Sequence, residues 1–155
     1  MEEGSNQLVL RIMHWEKLKA SHYFSEPVEH IYTSTIFDQK IYDKLYENQN
    51  DLNHKVWQDF KKMYKVGYEF LDDIKQIDLK LDTVCVWFFK ERTDRSAGDI
   101  IRLHDKKIIY KPNTFLLTMS KELKIIESHE YIRRPCLQLQ ITKDQFTNIT
   151  TNFRK

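Results

Sequence analysis

Glycine, proline and cysteine are all scarce in this chain of 155 residues, which contains three, three and two of them. The phosphate-binding fingerprints of nucleotide-binding proteins need several glycines at fixed spacings, so they do not fit this sequence. No Gly-x-Ser-x-Gly elbow marks a serine nucleophile. Cys85 and Cys136 lie in apolar runs and match no zinc spacing, which predicts buried free thiols in a reducing compartment.

An excess of charge of one sign and long apolar runs are lacking as well. The 25 basic and 23 acidic residues leave a formal charge of +2, whereas a nucleic-acid-binding protein usually carries a marked basic excess. The longest wholly apolar run, residues 84–89, is too short to span a bilayer, and the acidic start does not resemble a signal peptide. We therefore expect no nucleic-acid or membrane partner, and a cytoplasmic location, or a virion if the protein is viral.

Aromatic residues, by contrast, are abundant and make up 13% of the sequence, which argues against disorder. Residues 27–37 favour an extended strand because most of them are β-branched or aromatic. Asp38 is a candidate N-cap for a helix that follows, because the apolar residues after it recur at intervals of three and four. This helix should end near residues 48–50.

A second helix is predicted over residues 52–66, with Gly67 as its stop. Its apolar stripe consists of Val56, Phe60 and Met63, with Trp57 and Tyr64 beside it. Residues 68–81 fit either a helical turn or a loop.

From Thr83 onward the sequence has the pattern of short β-strands joined by polar turns. The predicted strands cover residues 83–90, 99–103, 107–111, 114–119, 121–127 and 135–142. The last of them alternates apolar and polar residues, which predicts a half-buried strand. Helices followed by an antiparallel series of strands indicate an α+β chain, with the strands in a jelly-roll or sandwich.

The whole chain, residues 1–155, is interpreted as one domain. Residues 1–25 are predicted to be an N-terminal arm or strand, with a first strand over residues 7–13, and residues 27–66 are predicted to hold a strand and two helices. Residues 83–142 supply the core strands. Residues 143–155 are a tail that begins with a short helix.

Two blocks of the sequence share an order of segments with a known family. The first, PVEHIYTSTIFDQKIYDKLYEN, is an extended strand followed by a helix, and the second, residues 84–141, runs from VCVWFFK through Gly98-Asp99 and TFLLTM to LQLQI. In this order they resemble the prolyl-hydroxylase-like branch of the Fe(II)/2-oxoglutarate-dependent dioxygenases. The resemblance implies a double-stranded β-helix, a jelly-roll fold, with the two N-terminal helices packed on one sheet.

The metal ligands of that family are missing from the sequence. The family holds iron with a His-x-Asp pair and a distal histidine, which leaves positions open for 2-oxoglutarate and dioxygen. No His-x-Asp pair occurs here, and the residue aligned with the distal histidine is Lys124, whose ammonium has no lone pair for a metal. Arg134 aligns with the arginine that binds the 2-oxoglutarate carboxylate, so this role would apply only to an active enzyme.

The histidines of the chain do not restore the metal site. His104 is adjacent to Asp105, so on a strand their side chains would point to opposite faces. The others, which show no regular metal-ligand spacing, are His14, His22, His30, His54 and His129. We interpret all of them as structural.

The first hypothesis is a non-catalytic double-stranded β-helix domain that serves as a structural or binding subunit without a cofactor. Lys124 would then supply a fixed positive charge where the family keeps its metal, and Asp78 or Asp82 would neutralise it. The partner would be another protein or a second copy of the chain. Interface candidates are Trp15, Tyr23, Phe24 and Tyr32, because interfaces favour aromatic residues.

The composition is poor in glycine and rich in lysine and asparagine, which is typical of viral proteins. This hypothesis therefore includes a subunit of a virus or phage particle, or a protein that takes part in its assembly. The alternative is an Fe(II)/2-oxoglutarate-dependent dioxygenase with a divergent metal site. A third hypothesis is a small jelly-roll that binds a sugar or another ligand through its aromatic residues.

Overall fold

The computed structural model describes residues 19–34, 39–64, 66–89, 99–109, 111–125 and 134–154. The strands in these parts are β1 (Tyr23–Phe24), β2 (His30–Ser34), β3 (Tyr68–Leu71), β4 (Thr83–Phe88), β5 (Asp99–Leu103), β6 (Lys106–Ile109), β7 (Thr114–Met119), β8 (Leu123–Ile125) and β9 (Cys136–Leu139). The helices are α1 (Gln39–Glu47), α2 (Lys55–Tyr64) and α3 (Lys143–Thr151).

The strands form two antiparallel sheets, which together with the helices make this an α+β chain. The larger sheet has six strands in the order β1-β2-β7-β4-β9-β3, and the smaller has three in the order β6-β5-β8. The predicted α+β class is thus confirmed, with strands close to most of the predicted positions. The predicted strand at residues 7–13 lies outside the described residues.

The six-stranded sheet is buried on both faces. Along β4, Cys85 and Trp87 belong to a cluster with side chains of all three helices, whereas Val84, Val86 and Phe88 belong to a second cluster. This second cluster includes Ile101, Leu103 and Ile108 of the smaller sheet. The layers are therefore helices, the six-stranded sheet and the three-stranded sheet, and a strand with two covered faces needs no polar alternation.

The first two helices lie close to the predicted positions. Helix α2 begins at Lys55 rather than residue 52, because residues 51–54 form a hydrogen-bonded turn in which the His54 amide donates to the Asp51 carbonyl at 3.0 Å. The predicted stripe was partly wrong: Phe60 is buried as expected, but Met63 is 59% exposed and Trp57 is buried in its place. The predicted N-cap Asp38 lies outside the described residues.

The tail begins with a helix, as predicted, and the cause is local. The Thr142 hydroxyl accepts a hydrogen bond from the Gln145 amide at 3.1 Å, and the Gln145 side chain accepts one from the Thr142 amide at 2.8 Å. This reciprocal capping box satisfies two amides that the first turn of α3 would otherwise leave without partners.

Two strands differ from the predictions. Residues 68–71 form β3, an edge strand of the large sheet, where a helical turn or loop was predicted. Strand β9 is buried at all four positions rather than half-buried. Its polar residue Gln138 is accommodated because its side-chain oxygen accepts a hydrogen bond from the Asp78 amide at 3.1 Å.

Candidate functional site

The space between the two sheets contains side chains from strands of both sheets. This space is filled by apolar side chains that are 5% exposed or less. They include Val84, Val86, Phe88, Ile101, Leu103, Ile108, Leu116, Leu123 and Cys136. One polar side chain that enters it belongs to β2, where the following contacts are found.

His30 on β2 is fully buried and uses both of its ring nitrogens. Nδ1 lies 2.7 Å from the Val28 carbonyl oxygen, and Nε2 lies 2.8 Å from Nζ of Lys106. Because a carbonyl can only accept, we infer that Nδ1 carries the proton and that the Nε2 lone pair accepts from the ammonium. The imidazole also stacks on Phe24, with ring centroids 5.0 Å apart.

Lys106 reaches this site from β6 in the opposite sheet. Its Nζ lies 3.5 Å from the centroid of the Phe24 ring, the arrangement of a cation–π contact. Burial lowers the pKa of Lys106 from its ordinary value. Burial also lowers the pKa of His30, the charge on Lys106 adds to this effect, and the hydrogen bond to Val28 opposes it. An ammonium of the chain itself therefore lies beside the interior histidine.

Lys124 does not occupy the interior. It lies on β8, is exposed, and is directly opposite Arg102 on β5. Of the two expected neutralising acids, Asp78 accepts a hydrogen bond from the Lys80 amide, and the backbone of Asp82 accepts one from Ser120. Water can solvate the Lys124 charge, and the ammonium that lies beside the buried His30 is that of the half-buried Lys106.

Arg134 lies just before β9 and is only 5% exposed, which is rare for an arginine. Its amide donates to the Asp73 carboxylate at 3.3 Å, and its carbonyl accepts from the Ile74 amide at 3.0 Å. These bonds attach the start of β9 to the turn at residues 73–76. The residue predicted to bind 2-oxoglutarate is thus an interior residue.

Three of the four interface candidates lie in the described parts of the chain, and Trp15 does not. The Tyr23 hydroxyl donates to the Glu29 carboxylate at 2.5 Å, and the Tyr32 hydroxyl donates to a backbone carbonyl of β6 at 3.2 Å. The Phe24 ring makes the cation–π contact with the ammonium of Lys106. Each of these aromatic residues is half-buried and engaged in a contact within the chain.

The two cysteines are buried free thiols, as predicted. Burial raises the pKa of both, and the negative charge of Asp73 adds to the effect at Cys136. A thiol that resists ionisation is a poor nucleophile and a poor metal ligand.

The residues in the described parts do not fit the family's iron. No group of three or more histidine, cysteine, aspartate or glutamate side chains close enough to share a metal occurs among them. His30, the histidine of the inter-sheet space, directs Nδ1 at a carbonyl and Nε2 at a cation, which leaves neither nitrogen for a metal.

No protein-family model matches the sequence, and no curated protein matches it either. The resemblance to the dioxygenases therefore stays a prediction from the two sequence blocks. Within the described ranges, every helix falls short of the length and apolar character that a bilayer crossing requires.

Proposed function

We propose that this chain is a non-catalytic double-stranded β-helix domain that acts as a structural or binding subunit. Two facing antiparallel sheets, with helices on the outer face of the larger one, support the fold part of this proposal. A protein that retains a jelly-roll without a reaction centre can use it as a rigid platform for contacts with other molecules.

The observation that carries the proposal is the contact between His30 and Lys106. A metal-binding histidine needs a free lone pair facing an open position, but here an ammonium lies 2.8 Å from Nε2. The same ammonium would repel a metal ion, and the apolar packing around it leaves little room for a co-substrate. These features favour a packed core over an active site.

The partner that we propose is another protein or a second copy of the chain. A subunit of a larger assembly, such as a virus or phage particle, is the specific form of this role. Sedimentation over a wide concentration range, together with recovery of complexes from the native source, tests it. A monomer at every concentration that is recovered without a partner would contradict the assembly role.

The enzymatic alternative is tested by ligand binding. Thermal unfolding would be followed under anaerobic conditions with Mn(II) and 2-oxoglutarate, added separately and together. A ligand of the native state at a hundred times its dissociation constant adds about 2.7 kcal/mol of stability, so binding would be easily seen. We expect no stabilisation by the pair beyond that by either component alone.

Arg134→Lys distinguishes specific from unspecific binding in this experiment. It keeps the charge of the buried side chain but loses the bidentate geometry that arginine offers a carboxylate. Stabilisation of the parent chain by the pair that disappears in this variant would overturn the non-catalytic proposal and support the dioxygenase alternative.

A further inference from the structure

The amine of Lys106 lies between two groups that act on it in different ways. Its Nζ is 2.8 Å from Nε2 of His30 and 3.5 Å from the centroid of the Phe24 ring. His30 is fully buried, and its Nδ1 lies 2.7 Å from the Val28 carbonyl oxygen, so the imidazole is held with its basic nitrogen toward the amine. A base is therefore already within hydrogen-bond distance of the nitrogen of this lysine.

Lys106 has no carboxylate partner within the described ranges, although such a partner is what usually holds a lysine in its charged form. Glu29, next to His30 in the chain, is instead bound by Arg154, whose Nε lies 2.6 Å from Oε2, and by the Tyr23 hydroxyl. Burial lowers the pKa of Lys106 from its ordinary value. At a given pH, a larger share of this amine is therefore uncharged than in an ordinary lysine.

The amine is also open to small molecules. Lys106 is half-buried rather than enclosed, and two sides of its nitrogen are taken by His30 and Phe24. An uncharged amine that donates one N–H to the imidazole keeps its lone pair, and an unprotonated lysine amine is a nucleophile. Because half of the side chain is covered, a short acyl group can reach this nitrogen more easily than a bulky one.

We propose that Lys106 is a site of covalent acylation by a short-chain acyl phosphate, with His30 as the base. The free amine attacks the acyl carbonyl carbon, a C–N bond forms, and the C–O bond to the phosphate breaks. The leaving phosphate takes the electron pair of that bond. The proton released by the amine goes to Nε2 of His30 and from there to solvent.

The product differs from the parent side chain in charge more than in hydrogen bonding. The amide is neutral, so the positive charge over the Phe24 ring is lost. It keeps one N–H that can still donate to Nε2 of His30. This modification goes beyond the binding role proposed above and does not depend on it.

The experiment treats the full chain with acetyl phosphate and follows the early acetylation of each lysine by tandem mass spectrometry. The internal controls are Lys107 and Lys124, two exposed lysines that lie directly opposite Arg102, also exposed, on the outer face of the smaller sheet. At about pH 8, Lys106 should be acetylated about threefold faster than either control, because more of its amine is uncharged. Its rate should also reach half of its maximum at a lower pH than theirs.

Substitution of the imidazole tests the role of the base. His30→Gln keeps a hydrogen-bond acceptor but cannot take up a proton at neutral pH, so acetylation of Lys106 should slow by about tenfold while that of Lys107 is unchanged. Lys106→Arg keeps the positive charge and should remove only the fast-reacting site. Circular dichroism verifies that each variant is folded. If His30→Gln does not fold, the pH profile of the parent chain decides.

Three results would overturn the inference. They are acetylation of Lys106 that is no faster than that of Lys107, the same pH midpoint for both lysines, and an unchanged rate in folded His30→Gln. None of these measurements involves Mn(II), 2-oxoglutarate or a partner, so failure of the acylation site and failure of the proposed function are read from different experiments.

Discussion

The two faces of the six-stranded sheet are buried in different ways. The face beneath the helices is aromatic: Trp87 and Phe89 lie with ring centroids 5.2 Å apart, and Trp87 lies 6.1 Å from Phe60 of α2. The face toward the smaller sheet is largely aliphatic, with Val84, Val86 and Leu116 among its members. Large rings span the gap between a sheet and a helix, whereas branched aliphatic side chains fill the space between two sheets.

The buried nitrogen atoms on the two faces also have different hydrogen-bond partners. Under the helices, the indole nitrogens have nearby acceptors, such as the Asn113 side-chain oxygen 2.7 Å from Trp87 and the Asn48 carbonyl 3.0 Å from Trp57. Between the sheets, the imidazole of His30 accepts from Lys106 across the gap. On the aromatic face the indole groups are therefore satisfied by neutral acceptors, whereas on the aliphatic face the imidazole contacts an ammonium.

The largest expected effect comes from two neighbouring residues of β7 that face opposite ways and are both fully buried. Phe115→Ala should lower the free energy of unfolding by about 3–5 kcal/mol and Leu116→Ala by about 2–5 kcal/mol, because each leaves a cavity in its own layer. Urea denaturation measures both. The exposed Met63→Ala is the control and should change stability by less than about 0.5 kcal/mol.

A negligible effect of Leu116→Ala would mean that the smaller sheet does not close over the larger one in solution. The comparison between the faces would then fail, and with it the packing argument for a non-catalytic domain.

A smaller effect is expected from pH, and only on the inter-sheet face. The pKa of His30 is lowered in the folded chain, so between that pKa and the ordinary value of 6.5 the unfolded chain binds more protons. Stability should therefore be lost as pH falls below about 6.5, until the pH reaches the lower pKa of the folded state. Urea denaturation between about pH 5 and 8 measures this dependence.

His30→Gln should flatten the pH dependence of the free energy of unfolding, and Lys106→Met should reduce it, because the charge on Lys106 contributes to the lowered pKa. Met63→Ala is the control, since it changes an exposed side chain that has no titratable group. A pH dependence that survives in His30→Gln would contradict the assignment to the interior histidine.

The smallest effect on stability is expected at Lys124, which is exposed, in contrast to Lys106, which contacts His30. Lys124→Glu should change the free energy of unfolding by no more than about 0.5 kcal/mol, and in the stabilising direction, because it relieves repulsion from Arg102. A loss of several kcal/mol, measured by urea denaturation, would place the ammonium in the interior, as the sequence alignment had suggested.

Most of the fold could be predicted from local patterns, with errors where burial depends on distant parts of the chain. The strand at Thr83–Phe88 was evident from its unbroken apolar run, and a short helix was predicted at the start of the tail, although its capping box at Thr142 and Gln145 was not foreseen. Strand β3 was missed because a four-residue edge strand that contains Glu69 has no clear period. The alternation in β9 predicts a half-buried strand, and the sequence gives no sign that Gln138 has a buried partner in the Asp78 amide.

The candidate site was predicted less well, for a geometric reason. The alignment chose Lys124 by its place in the order of segments, but a shift of one residue in a strand turns a side chain to the opposite face. Lys106, one strand earlier in the same sheet, faces inward, together with Ile108 of the inter-sheet cluster. No spacing in the sequence connects it with His30, which is 76 residues away.

From the amino-acid sequence alone, most of the helices and strands, the burial of both cysteines and the combination of helices with antiparallel strands could be predicted, but strand β3 could not. These properties follow from apolar periodicity, turn residues and capping residues that act within a few positions. Which lysine reaches His30, which three basic residues meet on one face, and the burial of Arg134 could be seen only in the folded chain. Those outcomes depend on strand register and on how the two sheets face each other, and neither is set by residues that are close in the chain.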